Sequence, residues 1–479
     1  MNKTYSLKKA TVINAVGRYS KILLQIVVEV ALARLLTPHD YGIVAVVTVF
    51  TTFFTTLSDI GLSTAIVQIK SLTKNDIDNI FTFTVYLSIL LMVFFGVFSY
   101  GIAWFYKNSV YIGISQLLSI SLLFNALNMI PNGILNRDKK FVTIAVRTVI
   151  VYVISAVITI VLAFIGFRYY ALVIQAILSS FLTFIWNYVT TRPRFKIKYS
   201  NKSLKKVASY SSYQFAFNLL NYFSRNLDNL LAGRFLGSTE LGYYSKSYNL
   251  MQYPVGNLTG IVTPVLHPIL SDFQNVKEVM YLKYMKVVKL LAAVGIYAEA
   301  ICIFAAPEII TILYGNRWHN SVICFQLLAV SVATQIINSS TGSVCQALGN
   351  TKLLFVTGCI NTVVTVIAIL IGIFIGKDIY ALALCVSISF ILNFLVSFYL
   401  LIVFGFKIKF RKFVKELIPY LIITAFCVVM LGLYNLIPIG NNFSTFFVLI
   451  IKLFYVSLIY IVALFITRQF KFIYGSIFK

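Results

Sequence analysis

The stretch Arg34-Leu35-Leu36-Thr37-Pro38-His39-Asp40-Tyr41-Gly42 returns 200 positions later as Arg234-Phe235-Leu236-Gly237-Ser238-Thr239-Glu240-Leu241-Gly242. In both copies an arginine and an apolar pair precede an acidic residue, and a glycine follows two positions on. At an offset of 210, Phe164-Ile165-Gly166 with Tyr170-Ala171-Leu172 matches Phe374-Ile375-Gly376 with Tyr380-Ala381-Leu382. The matches occur in the same order, so the sequence predicts an internal duplication.

The composition excludes a soluble globular protein. Of the 479 residues, 59% are hydrophobic and 11% charged, and the mean hydropathy is +0.89. Soluble domains carry roughly 45–50% apolar and about 25% charged residues. The sequence therefore predicts an all-α integral membrane protein.

The apolar runs predict 14 transmembrane helices, of which the first twelve divide into two six-helix repeats. We expect an N-terminal lobe at 1–200, a C-terminal lobe at 201–406 and two additional helices at 407–479. Because six is even, both repeats enter the membrane in the same direction, as in transporters that bind substrate between two halves. The predicted spans lie near 10–33, 41–67, 80–104, 111–135, 141–165, 168–190, 207–233, 241–270, 288–313, 321–347, 353–375, 379–404, 414–436 and 443–467.

The net charge is +26, from 40 basic and 14 acidic residues. With the spans above, 28 basic residues fall in one set of loops and 6 in the other. This asymmetry predicts that both termini are cytoplasmic. The sequence contains no nucleic-acid-binding motif, so we expect no nucleic-acid partner. The basic stretches 192–206 and 407–415 are explained by topology or by binding to anionic lipid headgroups.

Catalytic and metal-binding motifs are absent from the sequence. The six cysteines lie in apolar spans without ligand spacing, and there is no HExxH motif, Walker loop or dinucleotide fingerprint. The sequence therefore predicts no catalytic residue, no metal site and no bound cofactor.

A polar stripe runs along the first span and recurs in the seventh. Its positions step by three or four residues, which is the spacing of one helix face. Charges at the centre of a bilayer are costly, so this face should contact protein or water rather than lipid. The aligned residues are Asn14, Arg18, Lys21, Gln25 and Glu29 in the first span, and Gln214, Asn218, Asn221, Arg225 and Asn229 in the seventh.

The excess of cations in the stripe predicts an anionic substrate. Arg18 and Lys21 have no acidic neighbour on their face before Glu29, and arginine and lysine are suited to binding phosphate. For Arg225 an internal ion pair with Asp228 or Glu29 is the alternative. Arg147 could also bind substrate, or it could snorkel to the cytoplasmic interface.

Short motifs in both halves resemble those of bacterial polysaccharide transporters, the Wzx-type O-antigen and exopolysaccharide flippases. The resemblance covers roughly residues 5 to 400. Its motifs are Ala33-Arg34-Leu35-Leu36-Thr37-Pro38 with Asp40-Tyr41-Gly42, Asp59-Ile60-Gly61-Leu62-Ser63, Asp228 with Gly233-Arg234-Phe235-Leu236-Gly237 and Leu241-Gly242-Tyr243-Tyr244, and Pro307-Glu308 with Leu313-Tyr314-Gly315 and Trp318.

The resemblance implies a member of the multidrug/oligosaccharidyl-lipid/polysaccharide exporter (MOP) superfamily, with a MATE-like V-shaped pair of lobes. It implies export of an undecaprenyl-pyrophosphate-linked oligosaccharide to the outer leaflet of the bacterial plasma membrane. Membrane lipids and polysaccharide polymerase or assembly proteins are the implied partners. It also implies coupling to a proton or sodium gradient, for which the candidates are Glu29, Asp59, Asp228 and Glu299.

Three other functions fit parts of the sequence. A MATE-type drug or cation antiporter should line its cavity with carboxylates, whereas Arg18 and Lys21 would repel a cationic drug. A membrane polysaccharide polymerase or ligase needs outward catalytic groups, commonly on a long external loop, and the predicted external loops are short. A passive channel needs a ring of repeated filter residues, which the sequence lacks.

Overall fold

The computed structural model of this protein describes residues 7–59, 62–197, 200, 203–204, 222, 225–434 and 444–478. Within these ranges every regular element is a helix. The all-α fold class predicted from the sequence is confirmed.

The chain divides into two compact units, Met1–Gly242 and Tyr243–Lys479. The division predicted after residue 200 stays a prediction, because residues 205–221 lie outside the described residues. The helices of the first unit are α1 (Leu7–Leu35), α2 (Pro38–Asp59), α3 (Leu62–Gln68), α4 (Lys74–Tyr106), α5 (Val110–Leu127), α6 (Met129–Arg137), α7 (Phe141–Phe164), α8 (Tyr169–Thr191), α9 (225–235) and the start of α10 (Ser238–Ser271).

The second unit contains the rest of α10 and the helices that follow it. Two of its long helices end in a π-helical turn, at Ile371–Gly376 and at Leu401–Phe406. Its helices are α11 (Lys277–Phe304), α12 (Ala306–Leu313), a 3₁₀ turn (Asn316–Trp318), α13 (Asn320–Ala329), α14 (Val332–Asn338), α15 (Thr341–Ala347), α16 (Thr351–Leu370), α17 (Ile379–Leu400), α18 (Phe410–Tyr434), α19 (Thr445–Ile466) and α20 (Phe470–Phe478).

Ten helical segments of the described chain are long and apolar enough to cross a membrane, and a pair bent by 44° near residue 330 makes up to eleven. Helices α1 and α10 are also long, with 29 and 34 residues, but they are more polar and are not among these segments. The predicted span 207–233 lies largely outside the described residues. The chain is a multi-pass membrane protein, and the count of 14 spans stays a prediction.

The C-terminal half of α1 packs against α7. Val28, Leu32 and Leu36 form a buried apolar cluster with Ala156 and Ala163. Small alanine side chains allow helices to approach closely, which is how helices associate in a membrane. This contact fixes which face of α1 points into the protein.

The two helices that follow the second repeat, α18 and α19, pack onto α11. The Tyr460 hydroxyl donates a hydrogen bond to the carbonyl oxygen of Ala293 at 2.6 Å, and Tyr297 and Ser457 share a hydrogen bond at 2.8 Å. About one turn before Ala293 on α11, Lys289 forms an ion pair with Glu416 at 2.9 Å. These helices are therefore part of the second unit.

The basic segment after α8 runs back along α4. The carboxylate of the buried Asp78 accepts the backbone N–H of Arg194 at 2.9 Å, and the Thr82 hydroxyl accepts that of Lys196 at 3.0 Å. The backbone of this segment is thus hydrogen-bonded to side chains of α4, while the side chain of Arg194 remains exposed.

Candidate functional site

The polar stripe of the first span lies on one uninterrupted helix, α1. Gln25 and Glu29 are half-buried, whereas Leu23 and Val27 on the opposite face are each 66% exposed. Residues two positions apart in a helix lie about 200° apart, so the two pairs occupy opposite sides. The described part of the stripe, at Gln25 and Glu29, therefore faces the protein, and the exposed Leu23 and Val27 lie on the side expected to face lipid.

The two cations of the stripe belong to the same helix and the same face. The backbone of Arg18 and Lys21 lies within α1, and their spacing from Gln25 continues the stripe towards the helix start. Their side chains lie outside the described part of the structure. Their role in substrate binding therefore stays a prediction.

Glu29 lies where three helices meet. Tyr41 of α2 and Tyr152 of α7 pack against the apolar cluster that contains its neighbour Val28. The C-terminal end of the stripe thus holds a half-buried carboxylate at a junction of three helices.

Arg147 is buried in the first unit, two turns from the start of α7, with 7% of its surface exposed. Its guanidinium donates to the Oδ1 atoms of Asn187 at 2.6 Å and of Asn132 at 3.4 Å. Asn187 is in turn held by Asn128, whose Oδ1 accepts its amide at 2.7 Å. The amides of Asn187 and Asn132 hold the head group inside the helix bundle, and both the substrate role of Arg147 and the alternative that it snorkels to the cytoplasmic interface stay predictions.

The positive charge of Arg147 is not cancelled locally. Among the described residues no carboxylate lies within ion-pair distance, and the buried Nε atom has no hydrogen-bond partner. Sequence reasoning missed the three asparagines around it, since isolated asparagines near helix ends match no binding motif. A search for asparagines at the ends of facing spans would have found them.

The second stripe is described only in part. Asn218 and Asn221 lie outside the described residues. Arg225 is exposed and Asp228 is 4% exposed, and the described chain shows no ion pair between them although they are three residues apart on α9. Asp228 instead accepts the backbone N–H of Asn229 at 2.8 Å. The predicted alternative of an internal pair between Arg225 and Asp228 is therefore not found.

The two copies of the repeated motif contact each other at the starts of α2 and α10; we call this the helix-start contact, between residues 38–42 and 238–242. A Cβ atom at Gly42 would overlap the carbonyl oxygen of Ser238, and one at Gly242 would overlap that of Pro38. His39 Nδ1 lies 3.1 Å from the Ser238 hydroxyl. Only glycine permits so close a backbone approach, which explains the repeated glycine in the sequence.

Asp40 organises the first copy of the motif. Its carboxylate accepts the backbone N–H of Thr37 at 3.0 Å, and the Thr37 hydroxyl accepts the backbone N–H of Asp40 at 3.3 Å, which is a capping box. Arg168 adds an ion pair to the other carboxylate oxygen at 3.4 Å. The acidic residue of the motif therefore caps the start of α2. Asp40 is 1% exposed, so its carboxylate does not contact solvent.

The remaining candidates lie apart from the stripe. The side chain of Asp59, at the end of α2, lies outside the described part. Glu299 belongs to the second unit, where it accepts the backbone N–H of Ala333 at 3.0 Å. Sequence reasoning gave no role to two lysines of this unit, the buried Lys246 over the ring of Tyr314 at 5.3 Å and the half-buried Lys452 beside Glu308 at 2.8 Å. The cost of burying charge in a span would have identified both.

The helical fold is that of transporters of the MOP superfamily. It matches the lipid II flippase MurJ in an inward closed conformation with a TM-score of 0.75 over 96% of this chain and 99% of that one, at 16% identity. It also matches the inward-facing conformation of a multidrug resistance MATE family transporter, with a TM-score of 0.64 over 79% of this chain and 93% of that one, at 15% identity. At such identities the likeness establishes the fold alone.

The sequence then defines the family. Residues 31–323 match the family described as polysaccharide biosynthesis protein, and the chain belongs to it. The lipopolysaccharide biosynthesis protein WzxC of Escherichia coli strain K12 is 23% identical, over 84% of this chain and 82% of that protein. The resemblance drawn from the repeated motifs is confirmed.

Proposed function

We propose that this protein is a flippase that moves undecaprenyl-pyrophosphate-linked oligosaccharide from the cytoplasmic to the outer leaflet, for surface polysaccharide biosynthesis. Membership of the polysaccharide biosynthesis family and the likeness to WzxC support the glycan class. The structural observation that carries the proposal is the protein-facing side of α1 at Gln25 and Glu29, opposite the exposed Leu23 and Val27. The sequence spacing assigns Arg18 and Lys21 to the same face.

In this proposal the pyrophosphate head group binds to the stripe. Arg18 offers a planar pair of N–H donors and Lys21 a compact charge, while Gln25, Asn218, Asn221 and Arg225 add neutral and cationic contacts for phosphate and sugar. Arg147 contributes a further positive charge, and its amide surroundings support this role because they orient the guanidinium without neutralising it. The polyprenyl tail stays in the lipid.

The transport cycle is alternating access. The helix-start contact lies on the predicted external side, where Gly42 and Gly242 allow the two backbones to approach closely. Opening towards the outside would separate these helix starts. Transport then requires that the substrate or a coupling ion binds the two states with different affinity. A proton or sodium gradient is the proposed driving force, with Glu29, Asp59, Asp228 and Glu299 as candidate carriers.

The proposed location is the bacterial plasma membrane, with both termini in the cytoplasm. The loop charges support this orientation. Reporter fusions after Lys206 and Lys415 should read cytoplasmic, and fusions near His39 and Asn441 should read external. Fusions that read inverted, or a C-terminus outside, would contradict it. Membrane lipids and the polysaccharide polymerase are the proposed partners.

A direct test uses the full chain in lipid vesicles containing a fluorescently labelled undecaprenyl-pyrophosphate oligosaccharide. The protein should expose the labelled glycan to an added glycosidase faster than in empty vesicles. The shared MATE fold makes a drug or cation antiporter the second candidate. Proton-driven efflux of ethidium without glycan movement would favour that antiporter and contradict the flippase.

A further inference from the structure

Residues 192–197, which we call the basic segment, follow α8 and lie against the first turns of α4. The segment has no regular secondary structure and mixes cationic with apolar residues, in the order Arg192, Pro193, Arg194, Phe195, Lys196 and Ile197. Membrane topology explains why a loop on the predicted cytoplasmic side is basic. It does not explain why this loop is hydrogen-bonded along a transmembrane helix.

The contacts of the basic segment run along one face of α4. Asp78 and Thr82 accept backbone N–H groups of the segment at 2.9 and 3.0 Å, and the Tyr86 hydroxyl donates to one of its carbonyl oxygens at 2.8 Å. Eight residues of helix rise about 12 Å. The predicted span of α4 begins near residue 80, so the segment extends from the membrane surface towards the level of the acyl chains. Non-helical backbone needs such hydrogen-bond partners at this depth.

The apolar side chains of the basic segment project outward. Phe195 is 48% exposed and Ile197 is 82% exposed, and the ring of Phe195 lies 5.8 Å from that of Tyr86. Aromatic residues of this kind are enriched where the membrane meets water. From Tyr86 the exposed face of α4 continues in steps of three or four residues, through Leu90, Val93 and Val97. The segment therefore lies at the end of an apolar surface suited to acyl chains.

The two carboxylates at the start of α4 are buried and already used. Asp76 accepts the Ser203 hydroxyl at 2.8 Å, and Asp78 lies 3.9 Å from the ammonium of Lys196 in addition to its backbone contact. One cation of the basic segment thus balances a carboxylate of α4.

The two arginines of the basic segment remain exposed. Arg192 Nε donates to the carbonyl oxygen of Val189 at 3.2 Å, which is a neutral partner. In the part of the chain that the structure describes, no carboxylate lies within ion-pair distance of Arg192 or Arg194. A guanidinium binds phosphate through paired N–H donors. Two phosphate-binding groups are thus held beside an apolar surface, at the predicted inner edge of the membrane.

We propose that the basic segment is a binding site for an anionic phospholipid of the cytoplasmic leaflet. The phosphate of the lipid binds to Arg192 and Arg194, and its acyl chains lie along Phe195, Ile197 and the exposed face of α4. Basic residues beside a membrane attract anionic lipids, and the exposed apolar side chains favour a lipid over a soluble acidic partner. The contact concerns the surrounding bilayer, so it does not depend on which molecule the protein transports.

The first test places the full chain in phosphatidylcholine nanodiscs with a small fraction of phosphatidylglycerol that carries a photoreactive diazirine on an acyl chain. Mass spectrometry should find adducts on α4 between Tyr86 and Val97, and unlabelled phosphatidylglycerol should reduce them. Equal labelling by photoreactive phosphatidylcholine would overturn the proposal, because the headgroup would then have no role. Competition by undecaprenyl pyrophosphate but not by phosphatidylglycerol would assign the site to an isoprenoid pyrophosphate and would also overturn it.

The second test removes the two exposed charges. Each cation near an anionic lipid contributes about a 5-fold factor, so Arg194→Gln should weaken phosphatidylglycerol binding about 5-fold and the double variant with Arg192→Gln about 30-fold. Lys70→Gln, which removes an exposed cation on the same predicted side of the same unit, is the matched control and should bind normally. The melting temperature should not change, because the backbone contacts with α4 remain. A double variant that binds no more weakly than Lys70→Gln would overturn the site.

The third test detaches the basic segment without changing any charge. The buried Thr82 and Thr84 each donate to a carbonyl oxygen four residues earlier at 2.9 Å, but only Thr82 also accepts the backbone N–H of Lys196. Thr82→Val should therefore weaken phosphatidylglycerol binding several-fold, while the matched control Thr84→Val should bind like the wild type. Normal binding by Thr82→Val would show that unspecific attraction to loop charges is sufficient, and it would overturn the proposed site.

Discussion

The two units bury a cation in opposite ways. In the first unit the Arg147 guanidinium is surrounded by the neutral amides of Asn132 and Asn187, and the described residues offer it no carboxylate. In the second unit Lys452 is neutralised by Glu308 at 2.8 Å. The Lys452 ammonium is neutralised by a carboxylate, whereas the Arg147 guanidinium keeps its positive charge and, among the described residues, a buried Nε donor without a hydrogen-bond partner. The comparison shows that the first unit, which also carries the α1 stripe, has positive charge available to attract an anion.

The largest expected effect comes from removing that positive charge where the stripe is densest. Arg18→Ala and Lys21→Ala should each reduce glycan export by about 10- to 100-fold, because a lost charge-assisted hydrogen bond costs about 1.5–3 kcal/mol. Arg18→Lys should recover only part of the activity. The measurement is surface glycan in a strain lacking its own transporter, normalised to membrane protein.

Leu23→Ala is the matched control, since Leu23 lies on the same helix with its side chain on the opposite, exposed face. It should export normally. If both alanine variants export as well as Leu23→Ala, the stripe is structural. The positive charge of the first unit would then have no role in substrate binding.

The neutralised cation should behave differently. Lys452→Gln or Glu308→Gln alone strands a buried charge and should destabilise the protein by about 3–5 kcal/mol, whereas the double variant should be milder. The measurement is the amount of folded protein in the membrane and its melting temperature. A double variant as unstable as the sum of the singles would show that the two residues act independently.

Arg225 tests whether the second stripe also contains a positive charge without a carboxylate partner, as at Arg147. Because no ion pair with Asp228 is found, Arg225→Gln should reduce export by about 10-fold whether or not Asp228 is also changed to Asn, since one charge-assisted hydrogen bond is lost. Expression and export are scored separately for the two single variants and the pair. Full export by the double variant would assign both residues to helix packing.

The smallest effect is expected for Arg147→Lys. Lysine keeps the charge but loses the forked donors that reach Asn187 and Asn132, so export should fall only several-fold, in line with about 1 kcal/mol per lost hydrogen bond. Arg147→Gln removes the charge and should reduce export further while the protein still reaches the membrane. Equal export by the lysine and glutamine variants would mean that the charge has no role and that only the hydrogen bonds matter.

The sequence predicted the helical fold and the protein-facing side of α1 because both follow from local patterns. Apolar runs longer than a bilayer is thick predict helices, and three- to four-residue steps predict a face. Polar partners from other helices cannot be predicted in this way. Asn187 lies 40 residues from Arg147, and Glu308 lies 144 residues from Lys452. Such pairs depend on how the helices pack, which spacing within one helix does not encode.

The helix-start contact has the geometry of a two-fold homodimer interface held within one chain. Gly42 approaches Ser238 while its counterpart Gly242 approaches Pro38, and His39 lies 3.3 Å from its own counterpart, Thr239. In a true homodimer a substitution changes both halves of such an interface at once. In this duplicated chain each half mutates separately, so evolution can retain glycine where the backbones meet and still place histidine opposite threonine on the axis.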